Sequence, residues 1–308
     1  MGNILKGIIP PVVTPLLDDG VTLDEVGLQN IIEHLVKGGV HGLFMLGTTG
    51  EGSSLSYDLR KQLLAKTQEF VAGRIPVLAG VTDTSLEGTL EISNFAKSIG
   101  IDAVVIAPPY YLPISEKEFV NFLEDFIRQT DIPFVLYNMP SCTKMHMSLD
   151  LVEQAHRLGA IGVKDSSGDM NYLYSLIDRY KHDDNFSVLV GTELFLPEAV
   201  LNGGDGAVAG GANMFPELFV ELYEAAKNND RGKVKVLRDK VLWLYKTIYN
   251  VGDDTSRFVK NTKTVLMAMG VCNNQVASPL YRSKKEEISK LEEYLKEYNS
   301  GLVTNGES

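Results

Sequence analysis

The sequence has few of the residues that build disulfide frameworks and metal centres. It holds only two cysteines, Cys142 and Cys272, in 308 residues, which excludes a disulfide framework and predicts a reducing compartment, the cytoplasm. Its five histidines, at positions 34, 41, 146, 156 and 182, do not form a cluster with carboxylates. A metal-dependent enzyme needs such a cluster, so we expect no metal site.

Basic clusters and long apolar runs are also lacking. Acidic residues outnumber basic ones by 40 to 29, and the run Arg282-Ser283-Lys284-Lys285 is followed at once by two glutamates. This pattern is typical of a solvated helix end and argues against a nucleic-acid partner. No apolar run approaches the roughly 20 residues of a membrane span, and the N-terminus has no signal-peptide core, so we expect no membrane partner.

The sequence does contain a regular alternation of short apolar runs and helical patterns. The helical patterns carry start signals, including capping-box patterns at 22–25, 84–87 and 115–118. The apolar runs are nearly continuous in hydrophobic residues, as parallel strands covered on both faces are. They lie at about 8–13, 41–47, 75–81, 103–107, 133–138, 160–164, 186–191 and 206–210.

This alternation predicts an α/β fold, a (β/α)8 TIM barrel with a C-terminal helical extension. The alternative, an open doubly wound sheet, usually has a glycine-rich turn after its first strand, whereas residues 15–20 read Pro-Leu-Leu-Asp-Asp-Gly. We expect the barrel to span 1–228. Helices without strands follow over 229–300, and a disordered tail is predicted over 301–308.

Active sites of such barrels lie at the carboxyl ends of the strands, and a lysine stands at one of them. The sixth predicted strand ends in Lys164, and strict alternation would place Ala160 and Gly162 on its face, leaving room for a bound molecule. An amine among apolar groups is poorly hydrated, which favours its neutral, nucleophilic form. The alternative is a lysine that simply extends from a strand end into water.

Hydroxyl groups stand at the neighbouring strand ends. Thr48 and Thr49 follow the second predicted strand, Tyr110 and Tyr111 follow the fourth, and Tyr137 ends the fifth. Together with a lysine this set suits Schiff-base chemistry. The amine attacks a ketone, a phenol moves protons, and hydroxyls and backbone N–H groups hold the carboxylate of a 2-oxo acid.

Other residues at this mouth leave alternatives open. Glu51 is either a general base or a structural hydrogen-bond partner within its glycine-flanked loop. Gly210 and Gly211 could bind a phosphate, as late loops of barrels often do. Cys142 has no histidine partner in the sequence pattern and is not expected to be a nucleophile.

Three motifs of the sequence resemble those of a known enzyme family. They are Gly47-Thr48-Thr49-Gly50-Glu51, Tyr137-Asn138-x-Pro140 and Lys164-Asp165-Ser166-Ser167-Gly168, each at a predicted strand end. With them the chain resembles, over almost its whole length, the dihydrodipicolinate synthase / N-acetylneuraminate lyase family of class I, pyruvate-dependent aldolases. The resemblance implies a homotetramer or homodimer that acts on a 2-oxo acid and an aldehyde without a cofactor.

The resemblance also implies roles for single residues. Lys164 would form the Schiff base with pyruvate or another 2-oxo acid, and Tyr137 would be the proton shuttle. Thr48 would bridge Tyr137 to Tyr111, which a neighbouring subunit would contribute. The remaining pocket residues would be Thr48 and Thr49, which hold the pyruvate carboxylate, and the backbone at Gly191 and Val208.

The branch within the family is less evident from the sequence. In the synthase the loop after Tyr-Asn-x-Pro carries Gly-Arg-Thr, and its arginine binds the carboxylate of the aldehyde substrate. Here the loop reads Ser141-Cys142-Thr143, so a thiol replaces the anion clamp, and Lys144 follows. N-acetylneuraminate lyase usually has Ser-Thr in place of the two threonines.

The loop pattern resembles that of aldolases acting on 2-keto-3-deoxy sugar acids. We therefore predict a lyase that releases pyruvate from such an acid. The alternative is a 4-hydroxy-tetrahydrodipicolinate synthase that condenses pyruvate with aspartate semialdehyde. A dehydratase on the same scaffold and, from another class, a non-catalytic protein that binds a 2-oxo acid are the further alternatives.

Overall fold

The structure is a computed structural model and describes residues 5–301. Of the predicted tail over 301–308, all but Gly301 lies outside the described residues. No helix in the described part of the chain is both long enough and apolar enough to cross a membrane. The proposed boundaries of the barrel and its extension stay a prediction.

Eight parallel strands form one sheet that curls into a barrel. Their order is β1-β8-β7-β6-β5-β4-β3-β2, so each strand lies beside its neighbour in sequence, and the last lies beside the first. The (β/α)8 prediction is confirmed. The strands are β1 (Gly7–Ile8), β2 (Leu43–Met45), β3 (Val77–Gly80), β4 (Ala103–Ile106), β5 (Phe134–Asn138), β6 (Ala160–Asp165), β7 (Ser187–Val190) and β8 (Gly206–Ala207).

The first strand is shorter than predicted because two prolines follow it. Pro10 and Pro11 have no backbone N–H, so the ladder toward β2 shrinks to a bridge between Pro11 and Phe44. Two hydrogen bonds flank that bridge: the N–H of Val12 donates to the oxygen of Phe44 at 2.9 Å, and the N–H of Phe44 donates to Pro10 at 3.0 Å. These bonds close the barrel.

The helices match the predicted patterns, with one difference in how they begin. The capping box at Ser115 and Glu118 is present. The two helices predicted to start from the capping-box patterns at 22–25 and 84–87 begin later than predicted. Asp24 caps the first helix and Ser85 the third, since these side chains reach the N–H groups three residues on. The helices that cover the barrel are α1 (Glu25–Lys37), α2 (Tyr57–Val71), α3 (Leu86–Ser98), α4 (Glu116–Ile127), α5 (Pro140–Thr143), α6 (Leu149–Arg157), α7 (Met170–Tyr180), α8 (Leu196–Leu201) and α9 (Pro216–Lys227).

Further helices follow the last barrel unit: α10 (Arg231–Lys246), α11 (Arg257–Ala268) and α12 (Lys285–Asn299). The turn between α10 and α11 contacts the carboxyl end of the barrel, where Tyr249 bonds Glu193 after β7. The extension thus supplies one wall of the region in which the site residues meet.

The sixth strand contains an irregularity that its sequence does not reveal. Phe134 of β5 pairs with Ala160, but the next residue, Val135, pairs with Gly162, so Ile161 is an additional residue in β6. Ile161 therefore packs inside the barrel, whereas Ala160 packs toward the helices. The prediction that Ala160 shares a face with the strand's lysine was wrong, because strict alternation does not hold across a bulge.

Candidate active site

Lys164 and Tyr137 lie directly beside each other at the carboxyl ends of β6 and β5. Beyond the bulge the two strands are in register, and Tyr137 pairs with Lys164. The next pair, Asn138 and Asp165, is joined by a buried hydrogen bond of 2.8 Å from the amide to the carboxylate. This bond fixes the two strand ends relative to each other and therefore also the lysine relative to the tyrosine.

The Lys164 amine is enclosed by aromatic rings. The side chain is 5% exposed, and Nζ lies 4.0 Å from the ring centroid of Tyr137 and 5.1 Å from that of Phe44. None of the ion pairs among residues 5–301 includes Lys164. The predicted alternative of a lysine extending into water is therefore wrong, and the amine has no carboxylate partner among the described residues.

The loop after β2 brings two hydroxyl groups to the same place. Oγ1 of Thr48 lies 3.3 Å from the phenol oxygen of Tyr137, within hydrogen-bond distance. The loop turns so tightly that a Cβ at Gly52 would lie 2.1 Å from the backbone oxygen of Leu46, so only glycine fits there. The turn positions Thr48 beside Tyr137 and buries Thr49 behind it.

One cavity of about 880 Å³ connects the predicted pocket residues. Lys164 and Tyr137 lie at its inner end, and the extension forms part of its wall. At Gly191 a Cβ would lie 1.9 Å from Oγ of Ser166, so a larger residue there would displace that hydroxyl. The predicted residues that line the cavity are Thr48, Thr49, Tyr137, Lys164, Gly191 and Val208.

Tyr111 is the predicted residue that this cavity does not include. Its side chain is 94% exposed, and its backbone is left-handed with φ of 70°. It lies with Leu112 on the outer surface of the loop after β4. The predicted contribution of Tyr111 to a neighbouring subunit's site is not tested by a single chain and stays a prediction.

Glu51 is a structural residue of the loop that carries the threonines. Its carboxylate forms a buried ion pair with Lys263 of α11 and accepts a hydrogen bond of 2.7 Å from the N–H of Ala277. The amine of Lys263 also donates to the oxygen of Gln275 at 2.6 Å. Both sides of the carboxylate are thus engaged away from the cavity, which favours the structural alternative over a general base.

Glu193 holds the last glycine turn in the same way. Gly211 donates its N–H to Oε1, and the hydroxyl of Tyr249 donates to Oε2 at 2.8 Å. Burial raises the pKa of Glu193, and the two hydrogen bonds counteract that rise. Because Glu193 occupies the N–H of Gly211, the Gly210-Gly211 turn does not present that group to a phosphate.

A second cavity, of about 340 Å³, lies on the other side of Tyr137. It shares Thr48, Tyr137 and Met139 with the first, and Cys142 of α5 lies in its wall. The amine of Lys144 donates to the backbone oxygen of Ser141 at 3.1 Å and does not line either cavity. No charged side chain lines this second cavity, so the place of the missing arginine clamp is neutral.

The donor set at the mouth suits covalent chemistry by an amine. In the described part of the chain, no three histidine, cysteine, aspartate or glutamate side chains lie close enough to hold a metal ion.

The Dihydrodipicolinate synthetase family is matched over residues 4–298. The chain belongs to this family.

Relatives and solved structures of the family cover the chain almost completely. The structure of dihydrodipicolinate synthase from Bacteroides thetaiotaomicron is 45% identical with a TM-score of 0.92, over 96% of this chain and 99% of that one. YagE of Escherichia coli K12, a family member solved in complex with pyruvate, is 31% identical with a TM-score of 0.89, over 96% and 99%. The 4-hydroxy-tetrahydrodipicolinate synthase of Methanopyrus kandleri is 31% identical over 99% and 100%.

These findings confirm the predicted family and its enzyme class, a lyase. They also include both predicted activities, because YagE is described elsewhere as a candidate 2-dehydro-3-deoxy-D-gluconate aldolase. The relatives therefore do not separate the aldolase from the synthase. The site residues of this chain are the better guide to its substrate.

Proposed function

We propose that this dihydrodipicolinate synthetase family member is a Schiff-base-forming aldolase that releases pyruvate from a 2-keto-3-deoxy sugar acid. The observation that carries the proposal is the buried Lys164 amine, free of any acid partner, in contact with the ring of Tyr137. That phenol lies 3.3 Å from Thr48, and all three groups line one cavity. The protein needs no cofactor, since the substrate itself becomes bound to the amine.

The first half of the reaction forms the imine. Nζ of Lys164, as a neutral amine, adds to the C2 carbonyl of the 2-oxo acid. Tyr137 donates its proton to the oxygen, which leaves as water, and a protonated imine remains. Thr48 accepts from and donates to the phenol during these transfers. Thr48 and Thr49 hold the carboxylate, with the backbone at Gly191 and Val208 along the chain of the substrate.

The second half cleaves the carbon chain. The electrons of the C3–C4 bond move into the protonated imine, the C4 hydroxyl gives its proton to the Tyr137 phenolate, and an aldehyde leaves. The Tyr137 phenol gives the enamine a proton at C3, and water then hydrolyses the protonated pyruvate imine, which restores the neutral amine and returns a proton to the phenolate. Tyr111 of a neighbouring subunit would extend the proton path through Thr48, in a homotetramer or homodimer.

The neutral surroundings of Cys142 support the sugar-acid reading over the synthase. The loop that carries the synthase's arginine offers no cation here, because the second cavity is neutral and Lys144 is turned toward Ser141. The synthase remains the second candidate, and the 45% identity with the Bacteroides thetaiotaomicron protein supports it.

Trapping and product analysis test the proposal. Pyruvate with borohydride should add one reduced adduct to the protein, and peptide mapping should locate it on Lys164. The enzyme should then release pyruvate from 2-keto-3-deoxygluconate faster than it consumes pyruvate with aspartate semialdehyde. An unmodified mass would remove the mechanism, and the reverse order of rates would assign the synthase. A dehydrated 2-oxo acid as product would assign the dehydratase.

A further inference from the structure

The larger cavity carries a positive charge that the proposed chemistry does not use. Its lining includes three basic side chains, Lys164, Lys246 and Arg257, of which Lys164 reacts as a neutral amine, and one acid, Glu193. The whole chain, in contrast, has a formal net charge of −11. Arg257 is half-buried and Lys246 is exposed at the cavity's rim, and such a pair of cations in an acidic protein concentrates anions there.

The cations Lys246 and Arg257 have no acid partner within the described residues. Arg257 is half-buried, and neither its guanidinium nor the amine of Lys246 takes part in a hydrogen bond or ion pair within residues 5–301. Asp254, three residues before Arg257, is already paired with Lys260. The guanidinium is therefore free to bind a group that enters the cavity.

The one acid in the lining does not neutralise them. Both oxygens of Glu193 accept hydrogen bonds, from Gly211 and Tyr249, and among the described residues neither oxygen forms an ion pair with Lys246 or Arg257. Lys164 is committed to the 2-oxo end of the substrate under the proposed function. Lys246 and Arg257 are thus available to the other end.

Both cations come from the extension, whereas Lys164 comes from the barrel. Lys246 ends α10 and Arg257 begins α11, on the wall that faces the strand ends. A substrate bound to Lys164 by its C2 carbon would extend its remaining carbons along this cavity. The second cavity, next to Tyr137, has no cation in its lining and offers no comparable site.

From this arrangement we infer that Arg257, assisted by Lys246, binds an anionic group at the end of the sugar acid opposite its 2-oxo group. The inference rests on the proposed function and names its substrate class: a 2-keto-3-deoxy acid with a second, terminal anion. A phosphate ester and a terminal carboxylate share the chemistry, since a guanidinium binds either by two parallel hydrogen bonds.

Three substrates separate the two sources of the anion. Pyruvate release is measured from 2-keto-3-deoxygluconate, from its 6-phosphate and from the corresponding aldaric acid, with wild type, Arg257→Gln and Arg257→Lys. Arg257→Gln should lower the ratio of kcat/KM for an anionic acid to that for 2-keto-3-deoxygluconate about tenfold to a hundredfold, and Arg257→Lys should restore part of it. A selective loss with the phosphate identifies a phosphate ester, and one with the aldaric acid a carboxylate.

The matched control is Arg231→Gln. Arg231 is an exposed arginine of α10 without an ion pair, which bonds Asn229 and does not line the cavity. Its substitution should leave the ratio within about twofold of wild type. Circular dichroism shows that each variant is folded. Borohydride trapping of pyruvate on Lys164 shows that the inner end of the larger cavity is intact.

The results distinguish failure of the inference from failure of the proposed function. Equal loss in Arg257→Gln with all three acids, or no loss at all, would overturn the anion site and leave the aldolase intact. If the wild-type enzyme traps pyruvate but cleaves none of the three acids, the aldolase proposal fails, and the anion site falls with it.

Discussion

Lys164 and Lys263 are both buried, 5% and 0% exposed, but their surroundings differ in one respect. Lys164 faces the rings of Tyr137 and Phe44 and has no ion pair with any described residue, whereas Lys263 is paired with the carboxylate of Glu51. Burial lowers the pKa of Lys263, and Glu51 counteracts that effect. A buried amine with a carboxylate partner stays a structural cation, and one without it is free to act as a nucleophile.

The two lysines are also connected through the chain. Glu51 ends the motif that begins at Gly47 and carries Thr48 and Thr49, so the ion pair with Lys263 anchors the threonine loop to the extension. Thr48 in turn contacts Tyr137, beside Lys164. One lysine thus performs the proposed chemistry, and the other holds the loop that assists it.

The largest expected effect comes from replacing the two lysines by methionine, one at a time. Lys164→Met should abolish the borohydride adduct and lower pyruvate release by on the order of 10⁴-fold or more, because it removes the amine that lies against Tyr137 and forms the imine. Mass spectrometry and a coupled pyruvate assay measure both. Lys263→Met is the matched control and should still form the adduct. An adduct on Lys263 in the Lys164→Met protein would contradict the comparison.

The second effect concerns stability. Lys263→Met leaves the Glu51 carboxylate buried without a partner and should lower the free energy of unfolding by about 3–5 kcal/mol. Lys233→Met is the control: it breaks an exposed pair with Glu221, and exposed pairs contribute about 0–1 kcal/mol. Urea unfolding measures both. Equal losses in the two variants would show that the buried pair has no special role.

The pH dependence of Glu51→Gln tests the same pair from its other side. Without the carboxylate the pKa of Lys263 should fall further below its usual 10.5. Between the folded and unfolded pKa values the unfolded chain binds more protons, so stability rises with pH. The stability deficit of Glu51→Gln relative to wild type should therefore be largest near pH 7 and shrink toward pH 9.5. A deficit that grows over this range would contradict the pairing.

The sequence predicted the barrel and most of the site for a physical reason. Parallel strands are apolar on both faces, so their runs stand out, and the ends of such strands must meet at one rim. The positions at which the apolar runs end were therefore sufficient to predict that Lys164, Tyr137 and Thr48 lie close together. The helix starts were less exact, since Asp24 and Ser85 compete with neighbouring threonines as caps.

What the sequence did not reveal depends on contacts between distant residues. The partner of Glu51 lies 212 positions later in α11, and no local pattern marks Lys263 as buried. The bulge at Ile161 is a register difference between two strands, which neither strand shows alone. The cations of the extension were missed because helix patterns do not indicate which residues face a cavity.

A second, smaller loss of activity is expected at the neighbour of Lys164. Tyr137→Phe keeps the ring that contacts the amine but removes the proton donor, so turnover should fall about a hundredfold or more. Adduct formation should slow, yet the adduct should still form on Lys164. Tyr180→Phe, which alters a tyrosine packed against Phe186 outside the cavity, is the control. Unchanged turnover in Tyr137→Phe would remove the phenol from the proton path.

The smallest expected effect uses a cysteine near each region. Cys272 lies close to Lys263, and burial raises the pKa of its thiol to about 12, so only about one molecule in ten thousand carries the thiolate at pH 8. Cys142 is exposed and lines the cavity beside Tyr137. A disulfide reagent at pH 8 should therefore modify one thiol, Cys142, and partly inhibit the enzyme by filling that cavity. Cys142→Ser should abolish both the labelling and the inhibition, because the raised pKa of Cys272 leaves too little thiolate to react. Labelling that persists in this variant would show that the region around Lys263 and Cys272 opens in solution. The comparison between the ion-paired Lys263 and the unpaired Lys164 would then fail.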